Sequence, residues 1–449
     1  MYMNSLWKYQ TTDIKSKKIQ PGLHRDVIVI GAGMAGLLTA YYLQKNGLKV
    51  LILESGTIAS GQTEGTTAKI TSQHDLKYNK LINTVGIKKA QMYASANEKA
   101  IEEYEKLIKE NKIDCDFQRV PAYLYTMEDN KHMINETKAA VRLGMDAFYT
   151  KETELPFDVK GAVCFRNQAQ FSPLKFVKSL TKDIEILEHI KVKKIKKNEI
   201  ITDNGIFEAD KIVMATHYPI INFPGMYFLR QHQERSYVIA LRNCPEIKGM
   251  YYGVDKNGLS MRQAGEYLLL GGGSHRTGWS HKGGSYCFLR KEAEKYFPNA
   301  KEVARWAAQD RMPHDGIPFI GKYSAFTPNL YVATGFQKWG MTTSMVAAMI
   351  LSDEICGRKN PYSKVFSPQR VNLVAAFKDF CIDTGVSLAG LFSGWSGDKE
   401  YRCPHLGCRL EWNDEEQSYD CPCHGSRFEE NGRLLDNPSI KVKSCRGKK

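Results

Sequence analysis

A glycine-rich turn near the start of the chain constrains the fold more than any other feature of the sequence. Asp26–Ile30 is a short, apolar and largely β-branched run. It is followed by Gly31-Ala32-Gly33-Met34-Ala35-Gly36 and then by an apolar pattern with helical spacing that continues to Lys45. The order strand, glycine turn, helix is typical of a dinucleotide-binding unit. The sequence therefore predicts a parallel α/β sheet at this end of the chain.

Each residue of the turn has its own expected role. Gly31 makes the tight turn, Gly33 lets a pyrophosphate approach the backbone, and Gly36 lets the helix meet the strand. Met34 and Ala35 lie at the helix N-terminus, where amide donors and the positive end of the helix dipole favour an anion.

A carboxylate follows at the distance that a dinucleotide site requires. The second apolar run, from Lys49 to Leu53, ends in Glu54, whose carboxylate is placed to accept hydrogen bonds from the ribose hydroxyls of an adenosine. The small-residue loop Gly61–Thr71, which includes Thr67, is expected to line an extended ligand.

A second glycine turn distinguishes between the two common dinucleotides. A predicted strand, Leu330–Ala333, leads into Thr334–Gly340, with Gly335 and Gly340, and then into an apolar helix that begins at Met341. A second helix N-terminus suits the anionic end of a reduced isoalloxazine ring, so FAD is predicted. Gly271-Gly272-Gly273 lacks the spacing of an NAD loop.

Length and charge limit the remaining classes of function. With 449 residues, the chain should form two or three domains. It has a net charge of +14, but its basic run, Lys191–Lys197, resembles a solvated edge strand, so no nucleic-acid partner is expected. Asp398–Asp436 has ten acidic and five basic residues, net −5, and such an acidic tail could dock on a basic body.

The sequence has no long apolar run and no signal-like start, which predicts a cytoplasmic protein without a membrane span.

The acidic tail also contains a metal-ligand pattern. Cys403-Pro404-His405 and Cys421-Pro422-Cys423-His424 are separated by fifteen residues, and each half offers one thiolate and one imidazole. Two cysteines with two histidines suit either a [2Fe-2S] cluster or a tetrahedral zinc site. Zinc fingers usually pair cysteine with cysteine and histidine with histidine.

The body resembles the D-amino-acid-oxidase type of FAD-dependent oxidoreductase. The resemblance is carried by Gly31–Gly36 with Glu54, by the strand Asp210–Thr216, and by the strings "DGIPFIG" and "ATGFQKWGMT". It implies an α/β fold with a mixed-sheet, α+β substrate lobe over residues 1–360. The expected FAD lobe comprises about 21–80, 155–225 and 306–360, and the expected substrate lobe about 81–154 and 226–305.

The tail resembles the Rieske proteins of respiratory complexes in the strings "CPHLGC" and "CPCHGS". This resemblance implies that Cys403, His405, Cys421 and His424 ligate a [2Fe-2S] cluster and that Cys408 and Cys423 form a disulfide. A shortened Rieske β subdomain is expected over residues 398–449, after a helical linker over 361–397. Body and tail together resemble a bacterial subgroup of such flavoproteins.

Two departures from the Rieske pattern lead to further expectations. Ser426 is retained, but Phe428 stands where these proteins have a tyrosine that donates a hydrogen bond, so a lower reduction potential is expected. The tail is also too short to cover its own core. It should pack on the flavoprotein body or on another subunit, with Asn437-Pro438-Ser439 over the cluster.

These resemblances imply an oxidoreductase. A substrate C–H bond, beside an amine nitrogen, would give hydride to the flavin, and electrons would pass singly through the cluster to an unidentified acceptor. An electron-transfer reductase running in the opposite direction, a redox sensor without turnover, and an oligomeric assembly remain open.

The candidate catalytic residues are Asp310, Arg311 and His275. Amino-acid oxidases of this family hold the substrate carboxylate with an arginine shortly before the "DG" motif. In this sequence the alignment places Asp310 there, which favours a cationic amine, whereas a shift of one residue would place Arg311 there and favour a carboxylate. Asp310 could also be an ordinary salt-bridge residue, and His275 could belong to a lid.

Overall fold

This computed structural model describes residues 5–10, 24–279, 284–370 and 402–439, with the single positions 372, 382, 385, 386 and 389. Its helices are α1 (Leu6–Gln10), α2 (Met34–Lys45), α3 (Tyr78–Val85), α4 (Ile87–Glu110), α5 (Lys131–Arg142), α6 (Pro173–Leu180), α7 (Ser285–Tyr296), α8 (Gly340–Ile355) and α9 (Ser363–Phe366). Two short 3-10 helices are Thr181–Asp183 and Tyr227–Leu229. Most of the expected linker, 361–397, lies outside the described residues. Within the described part of the chain, no helix is long and apolar enough to cross a membrane.

The first sheet is the dinucleotide-binding unit that the glycine turn predicts. Its strands run in the order β16 (Phe319–Lys322), β17 (Leu330–Thr334), β10 (Gly205–Met214), β1 (Arg25–Ile30), β2 (Val50–Leu53) and β7 (Glu185–Leu187), and the hairpin β8 (Val192–Lys196) and β9 (Glu199–Thr202) extends β10. Strand β1 pairs in parallel with β2 and β10. Its apolar residues alternate between two buried clusters, Val27 and Val29 in one and Ile28 and Ile30 in the other. Because both faces of this strand are buried, apolar residues occur at consecutive positions and do not alternate with polar ones.

The second sheet is mixed, as the resemblance to amino-acid oxidases implies. Its order is β15 (Lys301–Pro313), β11 (Gln231–Arg242), β14 (Tyr267–Arg276), β13 (Ser260–Ala264), β12 (Met250–Gly253), β4 (Gln118–Thr126), β6 (Gly161–Gln170) and β3 (Lys69–Ile70), with β5 (Ala147–Thr150) on β6. Strands β12 and β4 are parallel, and the other pairs are antiparallel. The glycine-rich run from Leu268 lies within β14, a strand of this sheet.

The sheet boundaries differ from the expected lobe limits at 155 and 306. Strand β6 pairs with β4, and β15 pairs with β11 along its whole length, so both belong to the second sheet. The chain leaves this sheet only where these strands end, at Gln170 and Pro313. Pairing with distant strands, which local sequence does not encode, sets these boundaries.

The tail forms a small antiparallel sheet of β18 (Glu411–Asn413), β19 (Ser418–Asp420), β20 (Arg427–Glu429) and β21 (Leu434–Asp436). Its buried core consists of four cysteines with Leu410 and Phe428. Such a core is too small to stabilise an independent domain, which explains why the tail packs on the body.

Candidate active site and metal centre

The turn between β1 and α2 forms a cradle for a phosphate. Gly31 has a φ of +106°, and a Cβ there would lie 2.6 Å from the Ala215 carbonyl oxygen. A Cβ on Gly36 would lie 2.0 Å from the Gly31 carbonyl oxygen, so side chains are excluded at both positions. Beside Gly33, only Thr63 Oγ1 approaches, at 3.3 Å. The open space at Gly33 and the N-terminus of α2 suit an approaching anion.

Glu54 lies beside this cradle at the carboxyl end of β2. Its Oε2 accepts the Ala32 amide at 2.7 Å, and its Oε1 accepts the Gly56 amide at 2.7 Å and the Ser55 hydroxyl at 3.3 Å. Oε2 retains acceptor capacity, because a carboxylate oxygen has two lone pairs. The ribose contact expected of Glu54 stays a prediction.

A cavity of about 690 Å³ extends from the cradle to the second sheet. The predicted FAD-binding residues that line it are Gly31, Gly33, Met34, Ala35, Glu54, Thr67, Gly340 and Met341. Gly36 instead packs against the turn. Gly335 adopts a φ of +76°, and a Cβ there would lie 2.5 Å from Pro313 Cγ, so only glycine fits at this position. The expected cofactor and substrate regions therefore share one cavity.

Trp339, immediately before α8, forms an aromatic wall of this cavity. It stacks on His74 with ring centroids 5.0 Å apart, and Tyr252 meets it edge-on at 5.3 Å. The two ring nitrogens of His74 bond to Tyr93 Oη and to the Thr71 carbonyl, both at 2.7 Å. His74 was missed by sequence reasoning because its partners are distant in sequence, and its full set of hydrogen bonds indicates a supporting role.

Asp310 lines the cavity, whereas Arg311 does not. Burial raises the pKa of Asp310 to about 7, against an opposing effect of Lys338. Lys338 also lines the cavity and pairs with Glu234 at 3.4 Å. Burial alone would raise the pKa of Glu234, but His232 and Lys338 together lower it to about 2. This end of the cavity therefore has two acidic groups around one ammonium.

Arg311 points away from the cavity, toward the tail. Its guanidinium donates to the His424 carbonyl at 3.3 Å and to the Asn437 carbonyl at 2.7 Å, and it stacks on Tyr218 at 5.0 Å. His275 also lies outside the cavity lining and stacks on Tyr237 at 5.6 Å. Of the three candidate catalytic residues, the structure brings only Asp310 to the cavity.

The two cysteine–histidine loops of the tail have matching backbone geometry. The Cys403 amide donates to the Cys408 carbonyl at 2.8 Å, and the Cys421 amide donates to the Ser426 carbonyl at 2.9 Å. The thiols of Cys403 and Cys421 lie within hydrogen-bonding distance of each other, and the Ser426 hydroxyl reaches Cys403. The loops thus bring the two predicted thiolate ligands together.

The two predicted histidine ligands lie beside them. The His405 and His424 rings are 5.1 Å apart and nearly perpendicular. Nε2 of His405 bonds to Asn222 Oδ1 of the body at 3.0 Å, and its buried Nδ1 has no hydrogen-bond partner among the described residues. A buried imidazole nitrogen in this state fits a metal ligand whose other nitrogen is fixed by an outer hydrogen bond.

Cys408 and Cys423 form the disulfide that the resemblance implies, with a Cα–Cα distance of 6.6 Å. Their sulfurs and that of Cys421 all lie within 4.8 Å of one another. Because two of these three sulfurs are bonded to each other, the trio is not a ligand set. Two thiolates and two imidazoles remain, the donor set that a Rieske cluster takes.

The tail docks on the body through buried charges. Arg235 of β11 donates to Glu416 at 2.9 Å, and Arg427 of the tail pairs with the same carboxylate at 3.1 Å. Glu415 accepts the Gly284 and Tyr286 amides at 2.7 and 3.1 Å, at the N-terminus of α7. The acidic tail therefore sits on basic groups and a helix dipole of the body.

The tail also completes the cavity wall. Residues 433–437 and Ser439 line it. The Asn437 side-chain amide donates to the carbonyls of Thr216 and Tyr218 at 3.0 and 3.2 Å, and the Ser439 amide donates to Ser426 Oγ at 3.0 Å. The segment from β21 to Ser439 therefore joins the cluster loops to the cofactor cavity.

Comparisons with known proteins agree with both halves of this geometry. Residues 26–354 match the family model described as FAD dependent oxidoreductase, and residues 399–446 match the model described as Rieske [2Fe-2S] domain. The chain belongs to the FAD dependent oxidoreductase family. It is an oxidoreductase of amino-acid-oxidase type, and its cofactors are FAD and a Rieske [2Fe-2S] cluster. The zinc alternative is thereby set aside.

One relative shares the whole arrangement. YhfW of Bacillus subtilis (strain 168), whose name describes it as a Rieske 2Fe-2S iron-sulfur protein, is 35% identical over 97% of this chain and 96% of its own length. Among solved structures, L-proline dehydrogenase from P. horikoshii has a TM-score of 0.65 at 17% identity, over 78% of this chain and 98% of that one. Glycine oxidase from Geobacillus kaustophilus has a TM-score of 0.63 at 20% identity, over 78% and 99%. These structures show the fold alone.

Proposed function

We propose that the protein is an amine dehydrogenase that sends electrons singly through its Rieske cluster to an external acceptor. The observation that supports this most is the shared cavity, whose wall includes Asp310 from β15 and Asn437 from the tail. One cavity thus borders both the expected substrate site and the cluster-bearing module.

Asp310 is the proposed recognition and proton-accepting group. Its carboxylate would bind the substrate ammonium and take one proton, because a protonated nitrogen has no lone pair to stabilise an adjacent electron-poor carbon. Burial keeps its pKa at about 7, near the value that general-base work requires. Bound FAD supplies the hydride acceptor, and the cluster carries one electron at a time. Per turnover, Asp310 would take one proton from the substrate ammonium and the bound FAD would accept a hydride, which leaves an iminium ion.

Trp339 and Tyr252 would orient the substrate, since both line the cavity and exclude water with their rings. Lys338 pairs with Glu234 and donates a hydrogen bond to Ser274 Oγ at 2.9 Å. Its positive charge would offset the negative charges of the carboxylates at this end of the cavity. Arg311 and Asn437 would keep the cluster loops against the cavity wall.

An anaerobic flavin-bleaching assay tests the proposal. The panel contains monoamines, polyamines, amino acids and 2-hydroxy acids, and each compound that bleaches the flavin is then assayed for turnover with an artificial one-electron acceptor. We expect amines to bleach the flavin and to support turnover. Bleaching by 2-hydroxy acids with none by any amine would contradict the proposal.

A further inference from the structure

The first helix, α1, packs against the loop that lines the cofactor cavity. Its residues Leu6 and Trp7 are almost fully buried, with 1% and 2% of their surfaces exposed. The indole Nε1 of Trp7 donates to the Thr66 carbonyl at 2.7 Å. Thr66 belongs to the cavity lining, and Trp7 lies behind it. The contact of α1 with the cofactor cavity is therefore made through this loop.

The loop between β2 and β3 depends on contacts of this kind. All of its residues, 54–68, are described, and none belongs to a helix or a strand. Residues 59–63 and 65–67 line the cavity. Trp306 of β15 donates its indole N–H to the Gly65 carbonyl at 2.9 Å, so two tryptophans bond to two consecutive carbonyls. Where no neighbouring strand supplies donors to a backbone carbonyl, side chains must do so.

The Trp7 ring also covers a buried cation. The guanidinium carbon of Arg262 lies 5.2 Å from the centre of this ring, a distance typical of a cation–π contact. Arg262 belongs to β13, and its guanidinium donates to the Ala68 carbonyl at 2.8 Å. The two side chains thus hold carbonyls at the end of the loop that leads into β3.

The same loop contacts the phosphate cradle. The Ala59 amide donates to the Ala32 carbonyl at 3.1 Å, and Thr63 Oγ1 accepts the Met34 amide at 2.9 Å. Ala32 and Met34 belong to the turn from β1 into α2. A displacement of the loop at Thr66 would therefore reach the residues expected to hold the FAD pyrophosphate.

We propose that Trp7 is a positioning residue for FAD, and that α1 holds the cavity loop in the shape that retains the cofactor. Trp7 acts through the loop and does not itself line the cavity. Loss of its indole N–H would leave the Thr66 carbonyl without this donor, so the loop would loosen and FAD would dissociate faster. The inference concerns retention of FAD and is independent of the substrate proposed above.

The rate of FAD release from the unaltered holoenzyme and from Trp7→Phe tests the inference. Phenylalanine keeps an aromatic ring beside Arg262 but cannot donate to Thr66. Dissociation after dilution is followed by the rise in fluorescence of free FAD. We expect release to be about five- to a hundredfold faster in Trp7→Phe, the range that one lost buried hydrogen bond supplies. Release within about twofold of the unaltered rate would overturn the inference.

Tyr125→Phe is the matched control for general loss of stability. The Tyr125 hydroxyl donates to the Leu259 carbonyl at 2.9 Å within the second sheet, and Tyr125 lies outside the cavity lining. This variant loses one buried hydrogen bond to the backbone, as Trp7→Phe does. We expect its FAD to dissociate within about twofold of the unaltered rate. Equal acceleration in both variants would show general loosening of the fold and would also overturn the inference.

Hydroxyl-radical footprinting of the unaltered protein tests the inference without a substitution. Coupling between two sites is reciprocal, so a helix that helps to retain FAD must itself be stabilised by bound FAD. We expect oxidation of Trp7, measured by mass spectrometry, to rise about fivefold or more when FAD is removed, whereas oxidation of the equally buried Tyr125 should stay unchanged. Oxidation of Trp7 that does not respond to FAD would contradict the proposed coupling.

Discussion

Asp310 and Arg311 are adjacent in sequence and act on opposite faces of β15. Successive side chains of a strand point to opposite faces, so one faces the cavity and the other faces the tail. On the neighbouring strand β11, Glu234 pairs with Asp310 and Gln233 pairs with Arg311, so the same alternation between the two faces occurs there. A carboxylate at the proposed substrate site and a guanidinium that contacts the cluster-bearing tail thus come from two consecutive residues.

The titration of Asp310 should control the reaction with amines. Its pKa of about 7 means that the carboxylate, which alone can accept a proton, forms as the pH rises through 7. We therefore expect the rate of flavin bleaching to rise over this range. Asp310→Asn should lower the rate about 10²- to 10⁴-fold and remove the pH dependence near 7.

Stopped-flow absorbance between pH 5.5 and 9 measures this effect. Glu234→Gln is the matched control, because Glu234 helps to raise the pKa of Asp310: its loss should move the rise to lower pH but keep the rise, since Asp310 is still present. An unchanged pH profile in Asp310→Asn would refute the role of Asp310 as the base.

Phe428 should set the reduction potential of the cluster. It is fully buried among the cluster-loop cysteines and has no hydroxyl to donate to sulfur. We expect a potential in the lower half of the Rieske range of about −150 to +300 mV, and a higher potential in Phe428→Tyr. EPR-monitored redox titration measures both. A potential near the top of this range in the unaltered protein would show that the missing donor has no influence.

At the scale of elements, β21 and the following loop form a shared wall between the two cofactor sites. Arg311 fixes this wall to β15 through Asn437, and Arg235 fixes the tail to β11 through Glu416. Breaking a buried pair by removing one partner is costly, because the remaining charge is left unpaired. The wall should therefore be rigid as long as both arginines are present.

Arg311→Gln should slow reduction of the cluster much more than reduction of the flavin. We expect flavin bleaching by an amine to keep its rate within about threefold, while reduction of the cluster slows about tenfold or more, because the module loses its clamp. Arg305→Gln, on the same strand, is the control, since Arg305 stacks on Tyr286 and does not hold the cluster loops. Cluster reduction at the unaltered rate in a fully loaded Arg311→Gln protein would show that this arginine does not position the module.

The elements that sequence predicts best are those whose partners are close in sequence. The turn from β1 to α2 and the two cysteine–histidine loops are local motifs, and the spacing of their glycines and ligands limits what they can form. The expected lobe limits at 155 and 306 place β6 and most of β15 in the FAD lobe, whereas both strands pair within the second sheet, with partners that are distant in sequence. The orientation of Asp310 also needed the structure, since it depends on which face of a strand meets the cavity.

At the scale of the whole molecule, charge and size explain why one chain carries both modules. The tail has a core of a few cysteines with Leu410 and Phe428, and it gains stability by covering the body. In doing so it closes the cavity that holds the FAD-binding turn. The cytoplasmic location, the acceptor and the oligomeric state stay predictions.

We expect the flavin and the cluster to exchange electrons within one molecule. Rapid freezing after anaerobic mixing with an amine substrate, followed by visible and EPR spectroscopy of the same samples, tests it most directly. We predict that the flavin band bleaches first and that the EPR signal of a reduced Rieske cluster then appears, at a rate independent of protein concentration. A bleached flavin beside a cluster that stays oxidised would contradict the account.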